Sequence, residues 1–105
     1  GGLKMASAAV EEAIYRFAGV AEAAVVAVPH AGLGEDIAAC VVARPGVALD
    51  TAALRAHCAG LLADFATPRQ WHVLEALPKN PMGKILKREL REQLLAATKA
   101  HAHVD

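Results

Sequence analysis

The run Ala23-Ala24-Val25-Val26-Ala27-Val28-Pro29, then His30-Ala31-Gly32-Leu33-Gly34-Glu35-Asp36, then Ile37 to Ala43, decides the fold. Two apolar stretches rich in β-branched residues flank a short loop containing two glycines. Each stretch reads as a buried strand, the first ended by Pro29 and the second by Pro45-Gly46. So short a connection joins antiparallel strands, because parallel neighbours need a crossover of about a dozen residues or more.

Upstream, Val10, Ile14 and Phe17 recur at i, i+4, i+7, with Glu11, Glu12 and Arg16 opposite. This spacing predicts an amphipathic helix over Ala8 to Ala18, with Ser7 as N-cap and Gly19 at C′. Downstream, Asp50 caps a helix whose apolar face is Leu54, Cys58 and Leu61 and which ends near Leu62. Phe65-Ala66-Thr67-Pro68 is a turn, and Gln70 to Leu74 a short third strand with Trp71 and Val73 on one face. The loop Pro78–Gly83 leads into a last helix with Leu86, Leu90 and Leu94 on one side. The tail from Thr98 is small and polar and is expected to fray, which leaves a domain over 1–98 and a tail over 99–105. The order α-β-β-α-β-α predicts an α+β fold. In it a small sheet of about three strands, including an antiparallel pair, packs with about three helices.

Hydrophobic residues make up 55% of the 105-residue chain but aromatics only 4%. The core is therefore aliphatic and suffices for a small two-layer fold. It supplies little wall for a deep private pocket, so chemistry on a small molecule requires a site shared with another domain. Eleven basic and eleven acidic residues give zero net charge, which argues against a nucleic-acid binder. Cys40 and Cys58 sit in apolar patterns with no Cys-x-x-Cys relation and read as buried reduced thiols. No run approaches the length of a membrane span. With no signal peptide at the start, a cytoplasmic location is expected. His72, and the His101-x-His103 pair, lack the further ligands that a metal site needs. Gly1-Gly2 without an initiator Met reads as a segment cut from something longer.

The segment Leu77-Pro78-Lys79-Asn80-Pro81-Met82-Gly83-Lys84-Ile85-Leu86-Lys87-Arg88-Glu89-Leu90-Arg91 concentrates the basic charge. Cations near a helix N-terminus oppose its partial positive charge, which suggests a segment shaped to meet an anion. Gly83-Lys84 is not a nucleotide-binding P-loop: Pro78 and Ile85 occupy the places of its first Gly and its Ser or Thr. Two prolines stiffen the loop, and Gly83 allows a sharp turn or a close approach. Lys84 then carries a compact charge that can neutralise a carboxylate or phosphate during group transfer. The plainer reading of Lys84 is a solvated surface lysine.

This segment resembles the closing motif of the acyl-adenylate-forming enzymes, which comprise acyl-CoA synthetases, peptide-synthetase adenylation domains and luciferases. The matching positions are Leu77, Pro78, Lys79, Gly83, Lys84, Ile85, Lys87, Arg88, Leu90 and Arg91. Further segments agree in order. Gly1-Gly2 followed by Val10-Glu11 resembles the stretch after the inter-domain hinge. Val25–Pro29 with Gly34-Glu35 resembles a strand–loop–Gly-Glu element, and Phe65-Ala66-Thr67-Pro68-Arg69 the family's Tyr-Lys-x-Pro-Arg turn. Ser7 and Ala9 depart from the family's Pro and Glu.

The resemblance implies the mobile C-terminal lid of an ATP-dependent acyl-CoA synthetase, an acid–thiol ligase of fatty-acid type metabolism. Its partner is a larger N-terminal AMP-binding domain of the same polypeptide, which holds Mg2+, ATP and the carboxylic acid. Lys84 is then the catalytic lysine of adenylation. Gly1, Gly2, Leu3 and Lys4 match a loop of the coenzyme A tunnel. Thr67, Pro68 and Arg69 match a turn that touches the CoA nucleotide, Arg69 being the phosphate partner or a plain surface arginine. The isolated chain is expected to be inactive. Leu86 stands where peptide-synthetase domains carry Asp, which favours a CoA ligase. The alternatives are a peptide-synthetase lid and a non-catalytic interaction module.

Overall fold

A computed structural model describes residues 2–30, 32 and 34–104, with the side chains of 2–6, 65 and 98–104 outside the description. The elements are α1 (Gly2–Tyr15), β1 (Val20–His30), β2 (Gly34–Ala43), α2 (Thr51–Leu61), β3 (Gln70–Val73) and α3 (Lys87–Val104), with a 3-10 turn at Asp64–Ala66. The sheet order is β1-β2-β3. β1 and β2 pair antiparallel, from Val20 opposite Ala43 to His30 opposite Gly34, with a register shift between Val20 and Glu22. β3 joins β2 in parallel through the α2 crossover, with Ala38 opposite Gln70 and Val41 opposite Val73. The expected order and antiparallel pair are both present.

The sheet is covered on both faces, which makes three layers instead of two. Val10, Ile14, Ala23, Val25, Ala39, Val41, Leu54 and Cys58 form a core between the sheet and α1/α2. Ala24, Val26, Val28, Ala38, Cys40, Leu77, Leu90 and Leu94 form a second core under α3. Successive strand residues thus enter opposite cores, which is why the strands read as continuous apolar runs without alternation.

β1 runs through Pro29, where the sequence suggested a stop. The N–H groups of Ala23 and Val25 point to the free edge, where they meet Tyr15 Oη at 2.9 Å and Glu11 Oε2 at 2.8 Å. Pro29 falls on the same outward alternation, so its missing N–H costs no ladder bond. β1 is an edge strand, and side chains from α1 cover that edge.

Helix α2 begins as expected: Asp50 Oδ1 accepts from the N–H groups of Ala52 at 2.9 Å and Ala53 at 3.3 Å. Helix α1 differs. It starts at Gly2, so Ser7 lies within it and is not a cap, and it ends at Tyr15. Gly19 sits beyond the helix at φ +98°, where an added Cβ would lie 2.8 Å from Val47 Cγ1. It therefore serves the turn into β1. Helix α3 starts only at Lys87 and continues to Val104, past Thr98. Lys84 is therefore in the loop ahead of the helix.

Candidate functional site

Asn80, Pro81, Met82 and Gly83 form the tip of a tight hairpin. Gly83 N–H donates to Asn80 O at 2.9 Å, and Asn80 N–H donates to Lys84 O at 2.9 Å. Gly83 has φ +87°, and no described non-glycine residue has positive φ. This is the pattern of a type I turn followed by a left-handed glycine bulge. The stems continue with a bridge between Lys79 and Ile85 and a 2.8 Å bond from Leu86 N–H to Pro78 O. The side chain of Asn80 adds a further clasp, its Oδ1 accepting from Met82 N–H and Lys84 N–H, each at 2.9 Å.

The hairpin is braced on both flanks. Lys79 Nζ lies 2.7 Å from Glu22 Oε1 at the start of β1. Lys87 Nζ lies 2.7 Å from Glu11 Oε2. Leu77 is buried in the core under α3, with Ile85 half-buried against it. Between these anchors Lys84 is exposed. Its ammonium meets no carboxylate among the described residues, while the lysines on either side are each taken by one. Met82 beside it is 92% exposed at the hairpin tip. Among the described residues Arg88 reaches only Glu92, at 3.9 Å on the surface.

The turn Thr67-Pro68-Arg69 is built at another place. Pro68 is buried, and its carbonyl accepts from Trp71 Nε1 at 3.0 Å. Arg69 N–H donates to Ile37 O at 3.1 Å, and Arg55 donates to Arg69 O at 2.6 Å. The Arg69 guanidinium is largely exposed and lies 3.9 Å from the buried carboxylate of Asp36. Thr67 Oγ1 is spent on Ala63 O at 3.2 Å. A surface hollow lined by Thr51, Ala52, Arg55, Ala56, Ala59 and Trp71 adjoins this turn.

The sequence-predicted residues therefore fall into separate places. Asp36 faces Val28, whereas one brace of the Lys84 hairpin is Glu22, near the other end of β1, and the second is Glu11, beside Val25 in mid-strand. At about 3.4 Å per residue Glu22 and Val28 stand about 20 Å apart along the strand. Tyr15 meets Ala23 and Glu11 meets Val25, so α1 runs antiparallel to β1. Its first turn, Gly2 to Lys4, points toward the Asp36–Arg69 end. These residues are helical and not in a loop as expected, their side chains lie outside the described ones, and Gly1 does so altogether.

The two cysteines are buried and free, and burial pushes the Cys40 thiol up to about 11 and raises that of Cys58. In both, burial disfavours the thiolate, the form that acts as a nucleophile. Among the described residues, no three His, Cys, Asp or Glu side chains gather as a metal site, and no helix is long and apolar enough to cross a membrane.

Residues 9–84 match the AMP-binding enzyme C-terminal domain. The chain belongs to that family. Its relatives include the octahydroindenyl-propanoyl:CoA ligase of Mycobacterium tuberculosis, 47% identical over 88% of this chain and 18% of the relative. The 4-chlorobenzoate–CoA ligase of a Pseudomonas strain is 38% identical over 95% of this chain and 19% of its own length. Among solved structures, a Mycobacterium tuberculosis fatty acyl-CoA synthetase superimposes with a TM-score of 0.80 at 38% identity, over 87% of this chain and 18% of that one. This AMP-binding C-terminal domain thus spans about a fifth of the length of the curated relatives it matches.

Sequence reasoning missed Asn80, Glu11 and Glu22. Asn80 had a visible signal, since Asn-Pro-x-Gly is the residue preference of a type I turn at positions i, i+1 and i+3. The carboxylate braces had none, because their partners are remote in sequence.

Proposed function

We propose that the chain is the mobile C-terminal lid of an ATP-dependent acyl-CoA ligase, with Lys84 as its catalytic residue. The observation that carries this reading is an ammonium with no carboxylate partner among the described residues, on a hairpin fixed by hydrogen bonds and flanked by two ion pairs. A lysine kept only for solubility needs no such mounting. The larger N-terminal domain of the same polypeptide binds ATP with Mg2+ and the carboxylic acid. A carboxylate oxygen attacks the α-phosphorus, the bond to the β-phosphate breaks, and pyrophosphate leaves. Lys84 stabilises the charge that gathers between carboxylate and α-phosphate. In the second step the CoA thiol attacks the acyl carbon, loses its proton, and AMP departs.

The separation of the two candidate sets supports a lid that turns. Lys84 belongs to the Glu22 end of β1, and Thr67, Pro68 and Arg69 to the Asp36 end, as does the first turn of α1 with Gly2, Leu3 and Lys4. One rigid three-layer body cannot present both ends to a single point at once. Rotation about a hinge between the two domains would offer Lys84 for adenylation and the other end for the CoA step.

The test is Lys84→Ala in the complete polypeptide. Adenylation, followed as acid-dependent pyrophosphate release, should fall by a factor on the order of a hundred or more. Thioester formation from preformed acyl-adenylate should survive. Equal loss of both half-reactions would remove the role assigned to Lys84.

A further inference from the structure

We infer that Asn80 is the positioning residue for Lys84, an inference that rests on the function proposed above. Four hydrogen bonds hold the tip, and Asn80 takes part in all of them. Its carbonyl accepts from Gly83 N–H, its own N–H donates to Lys84 O, and Oδ1 accepts from both Met82 N–H and Lys84 N–H. The peptide groups on both sides of the Lys84 Cα are therefore gripped by one residue. The origin of the long side chain is fixed even though the chain itself extends into solvent.

Two of these bonds are backbone to backbone and survive a change of side chain. The other two depend on Oδ1, and one of them sets the orientation of the Lys84 peptide nitrogen. Asn is suited to this in two ways. Its side chain accepts from N–H groups two residues on, as in an Asx turn. It is also neutral, so it does so without placing a carboxylate beside the ammonium. An aspartate would make the same bonds but would oppose an anionic substrate at the same point.

The loop is otherwise self-contained. An added Cβ at Gly83 meets no atom within 4 Å, so the space on that side of the turn is open. Pro81 fixes one torsion, and Asn80 supplies the remaining order. Without Oδ1 the tip keeps its stems, at the Lys79–Ile85 bridge and the Leu86–Pro78 bond, while Lys84 starts from a broader set of positions. Misplacement of about 1 Å is enough to slow a positioned reaction markedly.

The experiment compares Asn80→Ala, Asn80→Ser and Lys84→Ala in the complete polypeptide, measuring both half-reactions and thermal unfolding. Asn80→Ala should lower kcat for adenylation on the order of tenfold. KM for ATP and the thioester step from preformed acyl-adenylate should stay near wild type. Asn80→Ser retains a neutral acceptor and should recover most of the loss, which separates positioning from general destabilisation. If Lys84→Ala abolishes adenylation while Asn80→Ala does not change it, the positioning role is wrong and the proposed function stands. Parallel decline of both half-reactions in Asn80→Ala, or no recovery in Asn80→Ser, also overturns it. If Lys84→Ala leaves adenylation intact, the proposed function itself fails.

Discussion

A single oxygen of Glu11 joins three elements: Oε2 lies 2.7 Å from Lys87 Nζ at the start of α3 and accepts the Val25 N–H of β1 at 2.8 Å. Glu11 itself sits on α1, so one carboxylate closes the sheet edge and anchors the helix that follows the Lys84 hairpin. Glu11→Ala leaves a half-buried edge N–H without its partner and frees Lys87. The expected loss is about 1–3 kcal/mol, the range for a hydrogen bond to a charged group plus a partly shielded surface ion pair. Glu11→Gln keeps an acceptor for Val25 and should lose less than half as much. Urea denaturation of the two variants checks the ordering.

The glycines separate two kinds of backbone cost. Gly83 has φ +87° with open space around its missing Cβ. Gly83→Ala should therefore cost only the left-handed penalty, about 1–2 kcal/mol. Gly83→Asn should cost less, because Asn tolerates that region. Gly19 has φ +98°, and its added Cβ would meet Val47 Cγ1 at 2.8 Å and Leu49 Cδ2 at 3.3 Å. Gly19→Ala adds overpacking of about 1 kcal/mol or more to the same conformational term. Chemical denaturation should rank Gly19→Ala as the more damaging, with Gly19→Asn no better.

These positions also show what the sequence could and could not disclose. The strands were legible because both faces of the sheet are buried, so Val25–Val28 and Ile37–Ala43 read as unbroken apolar runs. The Asp50 cap was legible because its partners, Ala52 and Ala53, are its neighbours. Ser7 misled, since cap preference says nothing of whether the residues before it are already helical. Pro29 misled because its tolerance depends on which strand is at the edge, a tertiary fact. Lys84 stood out through its motif, but the braces of its hairpin did not: Glu22 and Lys79 are far apart in the chain and meet only once β1 and the hairpin are side by side.

His72 provides a pH signal in stability. It lies in β3 opposite Cys40, with Nε2 3.2 Å from Gln70 Oε1, and burial lowers its pKa from the usual 6.5. The fold thus favours the neutral ring. As pH falls below about 6.5 the unfolded chain takes up a proton before the folded one does. The stability present above that pH is lost progressively as pH falls toward the lower folded value. The urea midpoint should therefore decline between pH 7.5 and 5.5, and the His72→Gln variant should show a flatter profile over the same interval.

The three lysines in and next to the hairpin offer a test in which stability and activity run in opposite orders. Lys79 and Lys87 are each bound to a carboxylate at 2.7 Å and are partly shielded from solvent. Replacing either by Met should cost up to about 1 kcal/mol, as for ion pairs near a surface, with a salt dependence that the variants lose. Lys84 touches no carboxylate among the described residues, so Lys84→Met should leave the unfolding midpoint unchanged. In the complete polypeptide the ranking should invert. Lys84→Met should remove adenylation, whereas Lys79→Met and Lys87→Met should reduce it only as far as the hairpin loosens. Unfolding curves and pyrophosphate release measured on the same three variants decide the matter. A destabilised Lys84→Met would mean that its ammonium has a structural partner, and the case for a lysine held ready for another domain's anion would fall with it.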